Sequence, residues 1–328
     1  MSVSPRLGNT THRLLPDPLP ETIGDALELA VRLGQEWHGP GGGHTLTEWK
    51  TLAEIAAHDL QLARAIEPHL DAVSILRQAG EAPPVDRYGV YAAEGPASTL
   101  VARRSSDGWV LTGSKPWCSL AQTLDRALVT AADTGGNRLF DVDLRHPGVT
   151  VTPNTWHAVG LTDIPSGPVD FDAVPARALG APGWYTERPQ FAWGGAGVAA
   201  CWYGGAVALA EDLRSLLHEN SPETALAHLG AVDEILGAAR LSLAECAMLA
   251  DAGAPGRLPA KRARGIVARA ADEVIWRSAR ALGPAPLALD EAHARRVADL
   301  DIYVRQHAVD RERASLGAAA IGAESAPW

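Results

Sequence analysis

Between residues 83 and 180 the chain carries seven short runs of β-forming residues, and no helix-length stretch separates them. They are Tyr88 to Ala92, Thr99 to Arg103, Trp109 to Thr112, Arg126 to Ala131, Leu139 to Asp143, Val149 to Val151 and Pro168 to Phe171. Parallel strands need long crossovers, usually helical, so this spacing predicts a mainly antiparallel sheet, a barrel or sandwich, and argues against a doubly wound fold. Ser106-Asp107-Gly108 reads as the hairpin turn between the second and third runs.

The flanks have helical periodicity. Ala26, Leu27, Ala30, Val31 and Leu33 mark a first helix, which the glycines from Gly39 to Gly43 end. Thr47 is the expected N-cap of a second helix, with an apolar stripe through Leu52, Ile55, Ala56, Leu60 and Ala63. Pro68 is expected at a junction, before a third helix that stops at Gly80. After Gln190, helices are expected over residues 191–218, 222–251, 258–282 and 290–320, with breaks at Pro222, Gly253 to Pro259 and Gly283 to Pro286. The predicted class is α+β: an arm over residues 1–20, a helical domain over 21–82, an antiparallel β-barrel or sandwich domain over 83–185, and a four-helix bundle over 186–328.

Composition excludes several functions. The net charge of −10, from 29 Lys+Arg and 39 Asp+Glu, argues against a nucleic-acid partner. An apolar content of 46% excludes a wholly disordered chain. Cys118, Cys201 and Cys246 are too few and too scattered for a disulfide framework or a Cys-rich zinc site, and they fit a reducing cytoplasm. Met1 to Pro20 lacks the apolar core of a signal peptide, and the most apolar stretch, Phe191 to Leu209, reads as a buried, tightly packed helix rather than a membrane span. Gly195-x-Gly197-x-x-Ala200 has no preceding strand, which favours close helix packing over dinucleotide binding. The scattered histidines suggest no metal site. The basic run Arg257, Lys261, Arg262, Arg264, Arg269, Arg277 and Arg280 reads first as a solvated helix face and second as a contact for a phosphate-bearing ligand.

Four segments in the same order resemble the acyl-CoA dehydrogenase superfamily. Gly113-Ser-Lys-Pro-Trp-Cys-Ser is similar to the family's Gly-x-Lys-x-Trp-x-Thr strand end, and Ala92-Ala-Glu-Gly-Pro-Ala-Ser to a shortened Thr-Glu-Pro-Gly-x-Gly-Ser loop. Gly160 to Pro175 resembles the stretch that closes the family's β domain, and Leu52 to Gly80 the helix pair before it. The resemblance covers about residues 20–320 and implies non-covalent FAD. It implies that Trp117 lies against the isoalloxazine, and that Ser119, beside Cys118, offers its hydroxyl or backbone N–H to the flavin N5/O4 edge. Glu94 and Ser98 would border the flavin and a thioester cleft, and Ala93 stands where the family has Thr. Arg280-Ala-Leu-Gly283 takes the place of a family loop that contacts the neighbouring subunit's cofactor, so a homo-oligomer, dimer or tetramer, is expected.

The family's catalytic glutamate has two known locations. The first helix after the β domain, starting Trp193-Gly-Gly-Ala-Gly, carries no acid there. At the other, aligning Asp299 and Ile302-Tyr303 puts His307 in its place. A neutral imidazole is a competent general base near neutrality; the alternative for His307 is a helix-surface residue in a charged face. The expected function is an FAD-dependent oxidoreductase that desaturates an acyl thioester. The alternatives are a flavin-dependent monooxygenase of the same fold, or a non-catalytic binding subunit.

Overall fold

The computed structural model describes residues 15–95 and 98–323. Most of the expected arm therefore lies outside the described residues. Helix α1 (Ile23–Glu36) starts where the Thr22 hydroxyl accepts the Asp25 N–H at 3.1 Å. Helix α2 (Thr45–His58) begins two residues before the expected Thr47. Its cap comes from far along the chain: the Asp251 carboxylate accepts the N–H groups of Gly43 and Thr45 and the Thr45 hydroxyl. No local pattern foretells such a cap. Helix α3 (Leu60–Gln78) follows at once, capped by Asp59, whose Oδ1 accepts Gln61 N–H at 2.7 Å and Leu62 N–H at 3.3 Å. The junction is thus Asp59, and Pro68 lies inside α3. The missing N–H does not end the helix, because Ile66, Leu70 and Val73 on either side of it are locked into the core.

The strands are β1 (Tyr88–Tyr91), β2 (Val101–Ser105), β3 (Gly108–Lys115), β4 (Arg126–Asp133), β5 (Gly136–Asp143), β6 (Val149–Val151) and β7 (Val169–Leu179). Strands β4, β2, β3, β7 and β5 pair in that order, and β5 pairs back to β4, so the sheet closes into a small barrel. The β2–β3 hairpin turns at Ser106-Asp107, with Ser105 opposite Gly108. The sheet is not wholly antiparallel. β1 runs parallel to β4, and Val101 of β2 meets Ala132 of β4 in parallel register.

Helix α4 (Trp184–Glu187) leads into α5 (Phe191–Leu216), α6 (Glu223–Asp251) and α7 (Arg257–Leu282). The helix expected over 290–320 is instead α9 (Glu291–Val304) and α10 (Val309–Ile321), after the short α8 (Ala285–Leu289). Residues 305–308 form the break, and His307 stands in it. α5 is the central helix, and Ala196, Ala199, Ala200, Trp202, Ala206 and Leu209 on it are fully or almost fully buried. A Cβ at Gly204 would lie 2.2 Å from the Ala53 carbonyl oxygen of α2, so only glycine permits this approach. Gly195 and Gly197 lie inside α5, as close packing requires.

Loop 160–164 ties the barrel to α9. A Cβ at Gly160 would sit 2.1 Å from the Ala298 carbonyl oxygen, the Asp299 carboxylate accepts Leu161 N–H at 2.5 Å, and Gln61 bridges Asp299 and the Asp163 N–H. One apolar cluster runs through α1 to α3, the barrel and the C-terminal helices. Cys118, Cys201 and Cys246 are free and buried in it. Desolvation pushes the Cys118 and Cys246 thiols up to about 12 and raises the Cys201 thiol well above its ordinary value.

Candidate functional site

The end of β3 positions the first group of side chains. Lys115 is fully buried, and its Nζ donates to Glu94 Oε1 at 3.0 Å and Thr130 Oγ1 at 2.8 Å. Thr130 also donates to Glu94 Oε1 at 2.8 Å. Glu94 is therefore fixed by two donors beneath its half-exposed side chain. Ser98 is half-buried and donates its N–H to Gly95 O at 2.9 Å.

After β3 the chain makes a tight bend in which Trp117 (φ 62°) and Leu120 (φ 57°) adopt the left-handed conformation that side chains disfavour. Loop 165–167 holds it: Cys118 N–H donates to Gly167 O at 3.0 Å and Leu120 N–H to Pro165 O at 2.9 Å. Cys118 consequently points inward, 1% exposed, while Trp117 is 62% exposed. A large aromatic held outward at a strained residue suits a ligand wall.

Ser119 lies beside it, and its proton can be traced. Arg64 Nη2 donates to Ser119 Oγ at 2.8 Å, and a guanidinium only donates. Ser166 Oγ stands 2.7 Å from Ser119 Oγ and gives its own proton to Ile164 O at 2.9 Å. The single Ser119 hydroxyl proton therefore goes to Ser166, which leaves the backbone N–H as the donor Ser119 has for a ligand.

Arg64 connects this bend to the helical side. Three charged residues, Arg64, Glu67 and Asp71, share one face of α3 at i, i+3 and i+7. Sequence reasoning did not single them out, although a charged stripe on a helix otherwise lined by apolar residues was a readable signal. Burial pushes the Glu67 carboxyl up to about 7, helped by Asp71, and the Asp71 carboxyl is also raised by burial, against the pull of Arg188.

Asp71 opens onto a cavity of about 1060 Å³ between α3, α4, α5, α7 and α10. Arg188, Arg257, Lys261, Arg264, Glu187 and Glu312 bring further charge to its lining. A smaller cavity of about 150 Å³, lined by Glu94 and Thr130, shares Tyr185, Thr186 and Phe191 with it. Lys261 and Arg264 of the basic run are half-buried on this cavity, with Arg257 exposed at its edge, while Arg262 and Arg269 lie on the solvated face expected for the run. Arg277 pairs with Glu273 at 2.7 Å, and Arg280 lies over Trp276, 4.6 Å from its ring centroid.

His307 is 5% exposed, and its Nδ1 has no hydrogen-bond partner among the described residues. Burial and then Arg264 lower its pKa, so the imidazole is neutral at neutral pH. It packs against Trp202, centroids 6.0 Å apart, and Trp202 in turn meets Tyr303, which lies under Arg64. His307 is therefore no surface residue, but it stands behind Arg264 rather than among the cavity-lining residues. Arg280 and Gly283 close the far end of α7, about 24 Å along the helix from Arg264 at 1.5 Å per residue. The structure groups Glu94, Trp117, Cys118 and Ser119 within the barrel and joins His307 to them through Arg64, Tyr303 and Trp202, while Arg280 and Gly283 lie apart.

Residues 89–174 match the acyl-CoA dehydrogenase middle-domain family. Over 92–94% of its length the chain has the fold of acyl-CoA dehydrogenases. Butyryl-CoA dehydrogenase from Megasphaera elsdenii superposes with a TM-score of 0.80 at 20% identity, over 94% of this chain and 91% of that one. A glutaryl-CoA dehydrogenase from Mycobacterium smegmatis in complex with FADH2 gives 0.76 at 17% identity, over 92% and 90%. Dibenzothiophene monooxygenase (TdsC) from Paenibacillus sp. A11-2 gives 0.70 at 19% identity, over 89% and 96%. No curated protein sequence matches this chain. The acyl-CoA dehydrogenase fold thus serves both dehydrogenases and a monooxygenase at similar distance from this chain. No helix among the described residues is long and apolar enough to cross a membrane.

Proposed function

We propose that the protein is a flavin-dependent oxidoreductase that acts on a small molecule held in the charged cavity, with FAD as cofactor. The observation that carries this is the bend at the end of β3, where an outward Trp117 stands next to Ser119 and the Arg64 guanidinium. A flavin needs an apolar wall, a few fixed donors and positive charge near the ring edge that becomes negative on reduction. Trp117 would supply the wall, the Ser119 N–H the donor and Arg64 the charge. When bound, the flavin supplies two-electron redox chemistry; the chain's residues orient the substrate and manage its protons.

Desaturation of an acyl thioester is the first form of this reading, with His307, whose buried Nδ1 has no partner among the described residues, as the group that draws off the proton. The second form is a monooxygenase of the same fold, whose substrate would meet both the charged side chains of the lining, among them Asp71, Arg188, Arg264 and Lys261, and its apolar ones, among them Phe191 and Val198. A homo-oligomer is supported by the apolar side chains exposed on α6 and α7, among them Leu241, Met248 and Trp276.

The test is the visible spectrum of the purified protein after incubation with FAD and desalting. A retained flavin that acyl-CoA thioesters bleach supports desaturation. Turnover that needs dioxygen and added reduced flavin supports the monooxygenase. A protein that holds neither oxidised nor reduced flavin is a non-catalytic binding subunit. In the desaturase form, His307→Ala keeps its flavin and loses turnover by at least about 100-fold.

A further inference from the structure

The wall of the large cavity carries four cations, Arg188, Arg257, Lys261 and Arg264. Three of them are already provided for. Lys261 Nζ lies 2.9 Å from Glu312 Oε2 and 2.7 Å from Ser315 Oγ. Arg264 donates to the Gly195 carbonyl and lies 4.9 Å over the Trp202 ring. Arg257 is exposed to solvent.

Arg188 is different. It closes α4 just before α5 begins, and the backbone fixes it there: its N–H donates to Trp184 O at 2.9 Å, and its carbonyl accepts Phe191 N–H at 3.1 Å. Its side chain is 4% exposed and lies over the rings of Tyr185 and Phe191, 4.9 and 5.6 Å from their centroids. A guanidinium has five N–H donors, no acceptor and a permanent charge, so out of water it normally meets a carboxylate at hydrogen-bond distance. Here the carboxylate is Asp71, whose Oδ1 is 4.0 Å from Arg188 Nη2, beyond that reach. The other oxygen beside it is the Tyr185 hydroxyl, which burial keeps protonated. The buried Nε has no hydrogen-bond partner among the described residues. Arg188 is thus the deeply buried cation of the wall, and no anion stands close to it. Leaving aside the Lys261–Glu312 pair and the exposed Arg257 and Glu187, the wall sets Arg188 and Arg264 against Asp71, an excess of positive charge.

We propose that Arg188 is the specificity-determining residue of this cavity and selects a small molecule that carries an anionic group, a carboxylate or a phosphate, on an apolar body. The anion supplies the close partner that Asp71 does not. The body lies against Phe191, Ala192 and Val198 of the same wall. Asp71, on the other side of the guanidinium, holds its plane in place. This inference names the substrate class of the oxidoreductase reading and rests on that reading for what is then done to the molecule, but the binding does not.

The test is isothermal titration calorimetry on the purified full-length protein, before and after incubation with FAD, with four probes of one size. Benzoate and phenyl phosphate carry the two anions; benzamide and benzyl alcohol are their neutral counterparts. One anion is expected to bind at least about 10-fold more tightly than both neutral probes, and whichever of the two is tighter identifies the group. A wild type that prefers neither anion, or binds no probe, overturns the inference. Arg188→Met is expected to remove the preference, with its fold checked by circular dichroism. Arg188→Lys keeps the charge and loses the planar fork, so it stands in should the methionine variant not fold, and it is expected to weaken the anion by about 5-fold or more. Arg262→Met, on the solvated face of α7, is expected to change nothing. Anion binding at wild-type strength in Arg188→Lys, or a loss in Arg262→Met equal to that in the Arg188 variants, overturns the inference. A protein that retains flavin but shows no anion preference loses this inference alone. One that prefers an anion and takes no flavin loses the oxidoreductase reading and keeps the Arg188 site.

Discussion

The two sides of the site are built on opposite principles. On the barrel side, buried polar groups are paired: Lys115 with Glu94 and Thr130, Ser119 with Arg64 and Ser166, Tyr91 with the Ser119 carbonyl. On the helical side, Asp71 has only Arg188 Nη2 4.0 Å from its Oδ1, and the buried His307 Nδ1 has no hydrogen-bond partner among the described residues. Satisfied groups fix a geometry, and a buried group left unsatisfied costs about 1–3 kcal/mol, which a ligand can offset on binding. The barrel side is a fixed frame, and on the helical side a bound ligand would complete the bonding.

The contrast is open to attack in order of size. Arg264 donates to the Gly195 carbonyl, lies 4.9 Å over the Trp202 ring and balances Glu67. Arg264→Leu is expected to cost roughly 2–4 kcal/mol in urea unfolding, because it leaves the Gly195 carbonyl without its donor and removes the cation over the Trp202 ring. A loss below about 1 kcal/mol would mean that the cluster is already hydrated and that the two sides do not differ.

Next comes pH. Burial raises the Glu67 pKa in the folded protein from its ordinary 4.5 to about 7, so the folded state binds the extra proton between those values. The stability this contributes is complete below about pH 4.5 and is lost as pH rises through about 7, at no more than about 1.4 kcal/mol per pH unit. Thermal melts from pH 5 to 8 should show that decline, and Glu67→Gln should flatten it. The smallest effect is expected on the barrel side. Lys115→Met replaces a buried cation by an apolar side chain of similar length, and the Glu94 it releases is half exposed to water. A cost of about 1–2 kcal/mol is expected from chemical denaturation. If that cost exceeds the one for Arg264→Leu, the comparison is inverted.

Much of the frame was legible because it is local or periodic. The Ser106-Asp107 turn, the strand runs and the glycine-rich α5 are written in adjacent residues. What was missed depends on partners distant in sequence. The start of α2 is set by Asp251, some two hundred residues away, and the seam at Asp59 was obscured by a proline that the core tolerates. The same holds for the site. Trp117 and Ser119 stand in a recognisable segment, whereas Glu67 and Asp71 look like ordinary helix charges until the fold buries Glu67 and sets Asp71 on a cavity wall. The split of the last helix at 305–308 placed His307 in a buried turn, where a continuous helix would have left it on a charged surface.

The three native thiols are sealed in the core and held far above the pH at which thiolates form. The folded chain is therefore silent toward maleimides and iodoacetamides without removal of any cysteine. One cysteine introduced at an exposed position such as Val159 or Leu289 becomes its single addressable handle. A fluorophore attached there reports on this molecule with its natural core intact.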